Sequence, residues 1–393
     1  MKLYENQSYL MENETVVTSC TVQGDQAFLE LEDTIFFPEE GGQHADTGYL
    51  WTGEQKIRLL DGQIQNGKIL YQVDQPVAVG SKVQCELDWD ARYMRMQQHT
   101  GEHILTGLIH RRFGYDNVGF HLSDTAPVTL DLNGMLTPEQ VNQMEVLANE
   151  MIYANLPVTA SYPSKEELPE LYYRSKIEIE GQVRLITIGT PDAPVDVCAC
   201  CAPHVKHTGE VGMIKIVSTQ KYKGGIRLSI LCGKRALEYV QEQTAIVGEL
   251  AKMFSTSADK VINCVQNQSK ELADLKYRLA ELREQQLVEQ IRSLPQQRHV
   301  CFFTDADLSA VTVKNCFNAM TERFEGYAGL FIGNDESGYR YNAGSSHLDA
   351  RELMQVMKEK LDAKGGGSAQ MIQGKVAATE AQIRELFEFE EWK

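Results

Sequence analysis

At 393 residues, with 42% hydrophobic and 24% charged side chains, the chain has the composition of an ordinary globular protein with room for two or three domains, which excludes wholesale disorder. Nine cysteines, an odd number spread thinly, exclude a disulfide-stapled miniature and fit a reducing, cytoplasmic compartment. The net charge of −17 excludes a general nucleic-acid coat, because phosphate binding needs positive potential.

The N-terminus lacks a basic-then-apolar leader, and no window approaches the roughly 18 apolar residues of a membrane helix, so a soluble protein is expected. Residues 1–90 carry sixteen acidic side chains against five Lys and Arg. They read as short strands: Thr15–Val22, Ala27–Leu31, Lys56–Leu60 and Lys68–Val73 are β-branched or aromatic runs between Gly, Asp and Asn turns. Regular short strands of this kind predict a small β-barrel over 1–90. Among them lies Thr34-Ile-Phe-Phe-Pro-Glu-Glu-Gly41-Gly42-Gln43-His44-Ala-Asp46-Thr-Gly48, whose Gly pair permits φ > 0 and close approach of a backbone or ligand.

From Asp88 the spacing of Met94, His99, His103 and Leu105 predicts a helix, with Gly101 inside it costing about 1 kcal/mol against Ala unless something needs the room. Strands follow over 118–133, then a helix opened by Thr137, Pro138 and Gln140 with capping-box spacing, running to about Asn155. Val183–Gly189, Val211–Val217 and Ile226–Cys232 read as further strands, making 91–235 an α+β domain. A long helical segment occupies 236–295, with a break at Phe254-Ser-Thr-Ser257. Its Leu272, Leu275, Leu279 and Leu282 follow the 3-4-3 spacing of a short coiled-coil seam or a helical hairpin, a route to a homodimer. Residues 299–393 alternate strand and helix as a C-terminal α/β domain. Its segment Gly365–Gly374 is rich in glycine but lacks the Walker lysine and serine, which argues against a nucleoside-triphosphate site. Local basic runs at Arg92 and Arg95, at Arg111 and Arg112, and from Lys221 to Arg235 leave room for an RNA contact, solvated surface being the plainer reading.

Two ligand pairs stand out. His99 and His103 at i, i+4 share one helix face, and Cys200 and His204 repeat the separation; three imidazoles and a thiolate suit tetrahedral Zn2+ better than calcium or magnesium. Cys198 and Cys201 leave other registers open, and His207 is a further candidate. His99-Thr-Gly-Glu102-His103 also satisfies the inverted zinc-peptidase pattern, in which the Glu is a general base, but such peptidases take a carboxylate as the next ligand where this chain offers Cys and His. A zinc site with an open position would supply a nucleophilic water to an ester or amide; one closed by four ligands would be structural.

These residues, with Thr34-x-Phe-x-Pro-Glu-x-Gly-Gly-Gln43-x2-Asp46-x-Gly48 before them and Val205-x2-Thr208-Gly-Glu-Val-Gly after, resemble the editing domain of alanyl-tRNA synthetase. Without an aminoacylation domain, the chain resembles the free-standing AlaX editing proteins; the long helix and Gly365–Gly374 are similar to the DHH-associated domain of their long form. The resemblance implies a zinc-dependent hydrolase that deacylates mischarged Ser-tRNA(Ala), and in some members Gly-tRNA(Ala). It implies that His99, His103, Cys200 and His204 bind zinc, and that Thr34, Gly41, Gly42 and Gln43 line the amino-acid pocket, Thr34 and Gln43 acting in catalysis. The chain has Cys200-Cys-Ala-Pro-His204 where the synthetase pattern has Cys-Gly-Gly-Thr-His, a stiffer loop that has lost a hydroxyl. Alternatives are a non-catalytic zinc protein that binds tRNA, and a deacylase for another mischarged tRNA, since threonyl-tRNA synthetase carries a related His and Cys domain.

Overall fold

Apolar and polar residues alternate along the first ninety positions and close there into a six-stranded barrel. The structure, a computed structural model, describes residues 1–24, 26–175 and 182–388; the last residues of the expected C-terminal domain, 389–393, lie outside that set. Helix α1 (Leu3–Asn6) leads into β1 (Glu12–Gln23), β2 (Gln26–Leu31), β3 (Gly48–Thr52), β4 (Gln55–Gln65), β5 (Lys68–Val73) and β6 (Lys82–Leu87), closed in the order β1-β2-β5-β4-β3-β6. Val17, Leu29, Leu50, Ile57, Leu59, Tyr71 and Val73 fill its interior. Two of its strands, β3 and β6, go beyond the expected runs, and their mutual pairing closes the ring. In β6 the inward Val83, Cys85 and Leu87 alternate with Lys82, Gln84 and Glu86, which are poor strand formers held there by the ring.

The next stretch packs a buried helix against two sheets. It comprises α2 (Trp89–Phe113), β7 (Asn117–His121), β8 (Val128–Leu132), α3 (Pro138–Tyr153), β9 (Val158–Ser161), β10 (Leu185–Thr190), β11 (Ala193–Ala199), β12 (Ile214–Tyr222) and β13 (Gly225–Cys232). The sheets run β12-β13-β8-β7 and β11-β10-β9. Asp88 caps α2 by accepting from Ala91 N, and Thr137 and Gln140 form a reciprocal capping box on α3 with Pro138 in its first turn. Met96, Ile104, Leu105, Leu130, Ile188, Leu228 and Ile230 belong to one core shared by the helix and both sheets.

Contacts divide the chain into units Met1–Val247 and Gly248–Lys393, the boundary falling inside α4 (Gly233–Met253). Residues 254–260 interrupt the helical segment as expected, with Ser257 opening a single 3-10 turn before α5 (Val261–Ser293). The second unit continues through β14 (Val300–Thr304), α6 (Ala310–Arg323), β15 (Ala328–Asn334), β16 (Gly338–Gly344), α7 (Ala350–Leu361), β17 (Lys364–Gly367), β18 (Met371–Val376) and α8 (Glu380–Glu388). Its sheet runs β14-β15-β16-β18-β17, with β14 and β15 parallel and the other pairs antiparallel. The glycine-rich segment is a hairpin; a Cβ on Gly365 would stand 2.2 Å from Gln373 O across the pair. Leu272, Leu275, Leu279 and Leu282 are all exposed along α5. No helix among the described residues is long and apolar enough to cross a membrane.

Candidate metal centre

Helix α2 carries its polar side chains inward. Arg92, Arg95, Gln98, His99, Thr100, Glu102, His103 and Thr106 are all buried, so the helix shows no simple apolar stripe. Burying such groups is tolerable only when each finds a partner. Arg92 donates through Nε to both oxygens of Asp46 at 3.0 and 2.9 Å, through Nη2 to Ile35 O, and through Nη1 to Ser8 O. Arg95 donates to both oxygens of Asp124 and to Ala45 O. Gln98 exchanges two hydrogen bonds with the backbone of Cys232. Arg92 and Arg95, read from sequence as a basic run open to RNA, are therefore internal fastenings between barrel and helix. The two helical glycines admit neighbours: a Cβ on Gly101 would lie 2.4 Å from Cys232 Sγ, and one on Gly107 would lie 2.6 Å from Asp196 Cβ on β11.

One turn beyond Arg95, the helix delivers His99 and His103 to Cys200 and His204 on the loop after β11. One donor atom from each of the four lies within 4.8 Å of the others. Cys200 Sγ is 3.6 Å from His99 Nε2 and 3.4 Å from His204 Nε2. A tetrahedral zinc, with bonds of about 2.0–2.1 Å to nitrogen and about 2.3 Å to sulfur, sets such N···S edges at about 3.6 Å. All three rings are oriented from behind: His99 Nδ1 donates to Gln43 Oε1 at 2.7 Å, His103 Nδ1 to Asp196 Oδ2 at 3.0 Å, and His204 Nδ1 lies 3.0 Å from Thr100 Oγ1. Outer partners of this kind fix which nitrogen faces a metal. Asp196 is itself gripped by Arg174 at 2.7 and 2.8 Å.

The electrostatics suit a cation. Burial opposes ionisation of Cys200, yet the neighbouring His99 and His204 bring its thiol well below the ordinary range. Burial pushes His204 down to about 3, leaving its ring neutral, as a ligand must be. Asp196 is lowered to about 2; burial works against this, and the bonds from His103 and Arg174 overcome it.

The other sequence candidates fall around this cluster. Gln43 joins it directly through His99. Gly41 and Gly42, at φ 62° and 85°, make the turn that presents Gln43, and a Cβ on Gly42 would press within 2.8 Å of Phe120 O. Phe120 in turn lies along His99, with ring centroids 5.0 Å apart. Thr34 is buried in the barrel, its Oγ1 accepting from Phe36 N at 3.1 Å and standing 2.8 Å from Tyr71 OH, rather than bonding to the cluster. Cys198 groups with His103 and Asp196 on the far side of the ring, and Cys201 faces Glu40. His207 is half-exposed beside Glu210. Glu102 accepts from Asn117 and Thr106 and keeps its second oxygen 3.7 Å from His103 Nε2, while the cluster holds no ligating carboxylate of the peptidase kind. Thr100, Arg174 and Asp196 went unread, and Arg92 was read only as part of a basic run. Asp196 was within reach, because strand alternation puts Asp196 and Cys198 on one face.

Residues 183–228 match the family described as the threonyl and alanyl tRNA synthetase second additional domain, and residues 4–91 match tRNA synthetases class II (A). The chain is 30% identical to the alanine–tRNA ligase of Pyrobaculum neutrophilum over 362 residues, covering 89% of this chain and 40% of that protein. It is 28% identical to the corresponding ligase of Archaeoglobus fulgidus, covering 95% of this chain and 42% of that one. It is 27% identical to the alanyl-tRNA editing protein AlaX-L of Pyrococcus horikoshii, covering 98% of this chain and 96% of that protein. The chain thus spans about two fifths of the length of such ligases and nearly all of the editing protein. Over nearly its whole length the chain is thus similar to an AlaX-type alanyl-tRNA editing protein, and it shares with the alanine–tRNA ligases the part that the matches cover.

Proposed function

We propose that this chain is a zinc-dependent deacylase that hydrolyses the 3′-terminal ester of tRNA(Ala) mischarged with serine, with the glycine ester as a second candidate substrate. The observation that carries the reading is the convergence of His99, His103, Cys200 and His204, each imidazole steadied through its other nitrogen. Zinc bound there supplies positive charge and Lewis acidity to whatever oxygen approaches it. Four protein ligands complete a tetrahedron, which favours an ion that holds and orients over one that keeps a standing open position.

The remaining work belongs to the chain itself. Gln43 keeps His99 in one tautomer through Oε1 and has its amide nitrogen left to donate toward an ester carbonyl. Thr34 accepts from Phe36 N and pairs with Tyr71, so its spare capacity is that of an acceptor for the serine hydroxyl. A pocket sized for alanine rejects serine poorly, whereas a second site built around that hydroxyl can discriminate by roughly 10⁴–10⁵. Gly41 and Gly42 let the turn lie against the substrate. Exposed Arg111, Arg112, Lys221 and Lys223 are the proposed tRNA contacts. A second copy of the chain is proposed to pair along the exposed leucine row of α5. The reading places the protein in the cytoplasm with the translation machinery.

The test is a deacylation panel with purified zinc-loaded protein. Serine release from Ser-tRNA(Ala), abolished by His103→Ala, is expected, with threonyl and correctly charged alanyl substrates spared. Equal rates for the two proteins would end the proposal.

A further inference from the structure

The turn that presents Gln43 also carries an acidic side chain that the metal cluster does not use. Glu40 N donates to Gln43 O at 3.2 Å and Gln43 N to Glu40 O at 3.1 Å, an antiparallel bridge across Gly41 and Gly42. Residues paired in this way send their side chains to the same face, with Cβ atoms about 5 Å apart. The Glu40 carboxylate therefore leaves the turn on the side where the Gln43 amide reaches His99.

Three polar atoms there are shielded from solvent and have no hydrogen-bond partner among the described residues: Glu40 Oε2, Gln43 Nε2 and the Tyr4 hydroxyl. Tyr4 and Gln43 are both 0% exposed. Tyr4 packs with Phe37 and Ala202 against Cys200 and Cys201, and the Cys201 thiol lies beside the Glu40 carboxylate. An unsatisfied buried polar group costs about 1–3 kcal/mol, and a charged one more. Three bordering one wall of the metal cluster are accounted for if a ligand supplies the partners. Their chemistry specifies it: a carboxylate and a phenol accept the protons of a cation, and an amide N–H donates to a carbonyl. An aminoacyl ester carries an ammonium and a carbonyl on adjacent carbons.

We propose that Glu40, with Tyr4 beside it, anchors the α-ammonium of an aminoacyl ester, so that the site takes esters of amino acids with a free amine and rejects those whose amine is blocked. This rests on the proposed reading of the chain as a hydrolase of aminoacyl esters. Acylating the amine removes the charge Glu40 meets and adds bulk against Cys201 and Ala202.

The test uses the full-length zinc-loaded protein and a non-hydrolysable probe, the serine amide of 3′-amino-3′-deoxyadenosine, with its N-acetyl derivative. Binding is measured by calorimetry at about pH 6.5, where an α-amine of pKa about 7.7–8.0 is charged. Glu40→Gln, an isosteric change on a partly exposed turn, is expected to weaken the free-amine probe by about 10- to 100-fold, the range for hydrogen bonds to a charged group. It is expected to leave the N-acetyl probe unchanged, so that the two losses do not add. Unchanged affinity for the free-amine probe, or equal loss of both probes, overturns the anchor. Serine release from Ser-tRNA(Ala), followed in parallel, separates the two readings. A chain that binds the probe through Glu40 but releases no serine keeps the anchor and loses the deacylase; one that releases serine while Glu40→Gln binds like the parent loses the anchor alone.

Discussion

Asp46→Ala is the most demanding test of how the barrel is fastened to the metal helix. Asp46 is 1% exposed and accepts from Arg92 and from Phe37 N, while Arg92 is 0% exposed. Removing the carboxylate leaves the Arg92 guanidinium buried with only Ile35 O and Ser8 O for company. Breaking a buried pair from one side costs about 3–5 kcal/mol, set against a total stability of about 5–15 kcal/mol. For a unit of this size, where each kcal/mol is about 2–4 °C, the transition of Met1–Val247 should fall by about 6–20 °C. Differential scanning calorimetry of the whole chain reads this, with urea unfolding followed by the fluorescence of Trp51 and Trp89, both in that unit. Asp46→Leu combined with Arg92→Met should recover most of the loss, since an apolar pair of similar volume is often neutral. A cost below about 1 kcal/mol for the single change, or a double variant no better than the single, would refute the reasoning.

Four further outcomes follow from the same structure. Asp196→Asn should weaken zinc binding by about 10- to 100-fold in competition with a chromophoric chelator, because the ring of His103 loses its charged partner. Zinc chelation should lower the melting temperature of the first unit and leave that of Gly248–Lys393 unmoved, measured by calorimetry with and without chelator. Gly101→Ala should destabilise by about 1–3 kcal/mol in urea titration, since the new methyl meets Cys232 Sγ at 2.4 Å. Leu275→Asp with Leu279→Asp, both on the exposed face of α5, should turn the proposed dimer into a monomer in light scattering without changing the unfolding midpoint of the monomer.

Local chemistry made much of this fold legible. The capping residue Thr137 announces its helix, because a side chain that satisfies an orphan N–H does so wherever the helix lies. The apolar strands of the barrel were equally plain. The strands β3 and β6 were not, since Lys82, Gln84 and Glu86 become strand residues only once neighbours on both sides pair with them. Glycines 365–367 leave no side-chain pattern to read. At the metal site the ligand spacing showed through, because i, i+4 geometry is local. The partners behind the rings did not: Gln43, Asp196 and Arg174 arrive from separate elements, and the buried polar face of α2 looks like a solvated one until the barrel covers it.

The three hydrogen bonds behind the imidazoles tie the candidate metal centre to three separate parts of the fold. Gln43 comes from the turn between β2 and β3, Asp196 from β11 and Thr100 from α2. A chain lacking any one of these holds a histidine free to spin, and its grip on the ion slackens accordingly. Tight binding of the proposed zinc therefore calls on barrel, helix and sheet together, and damage to any one of the three is expected to loosen it.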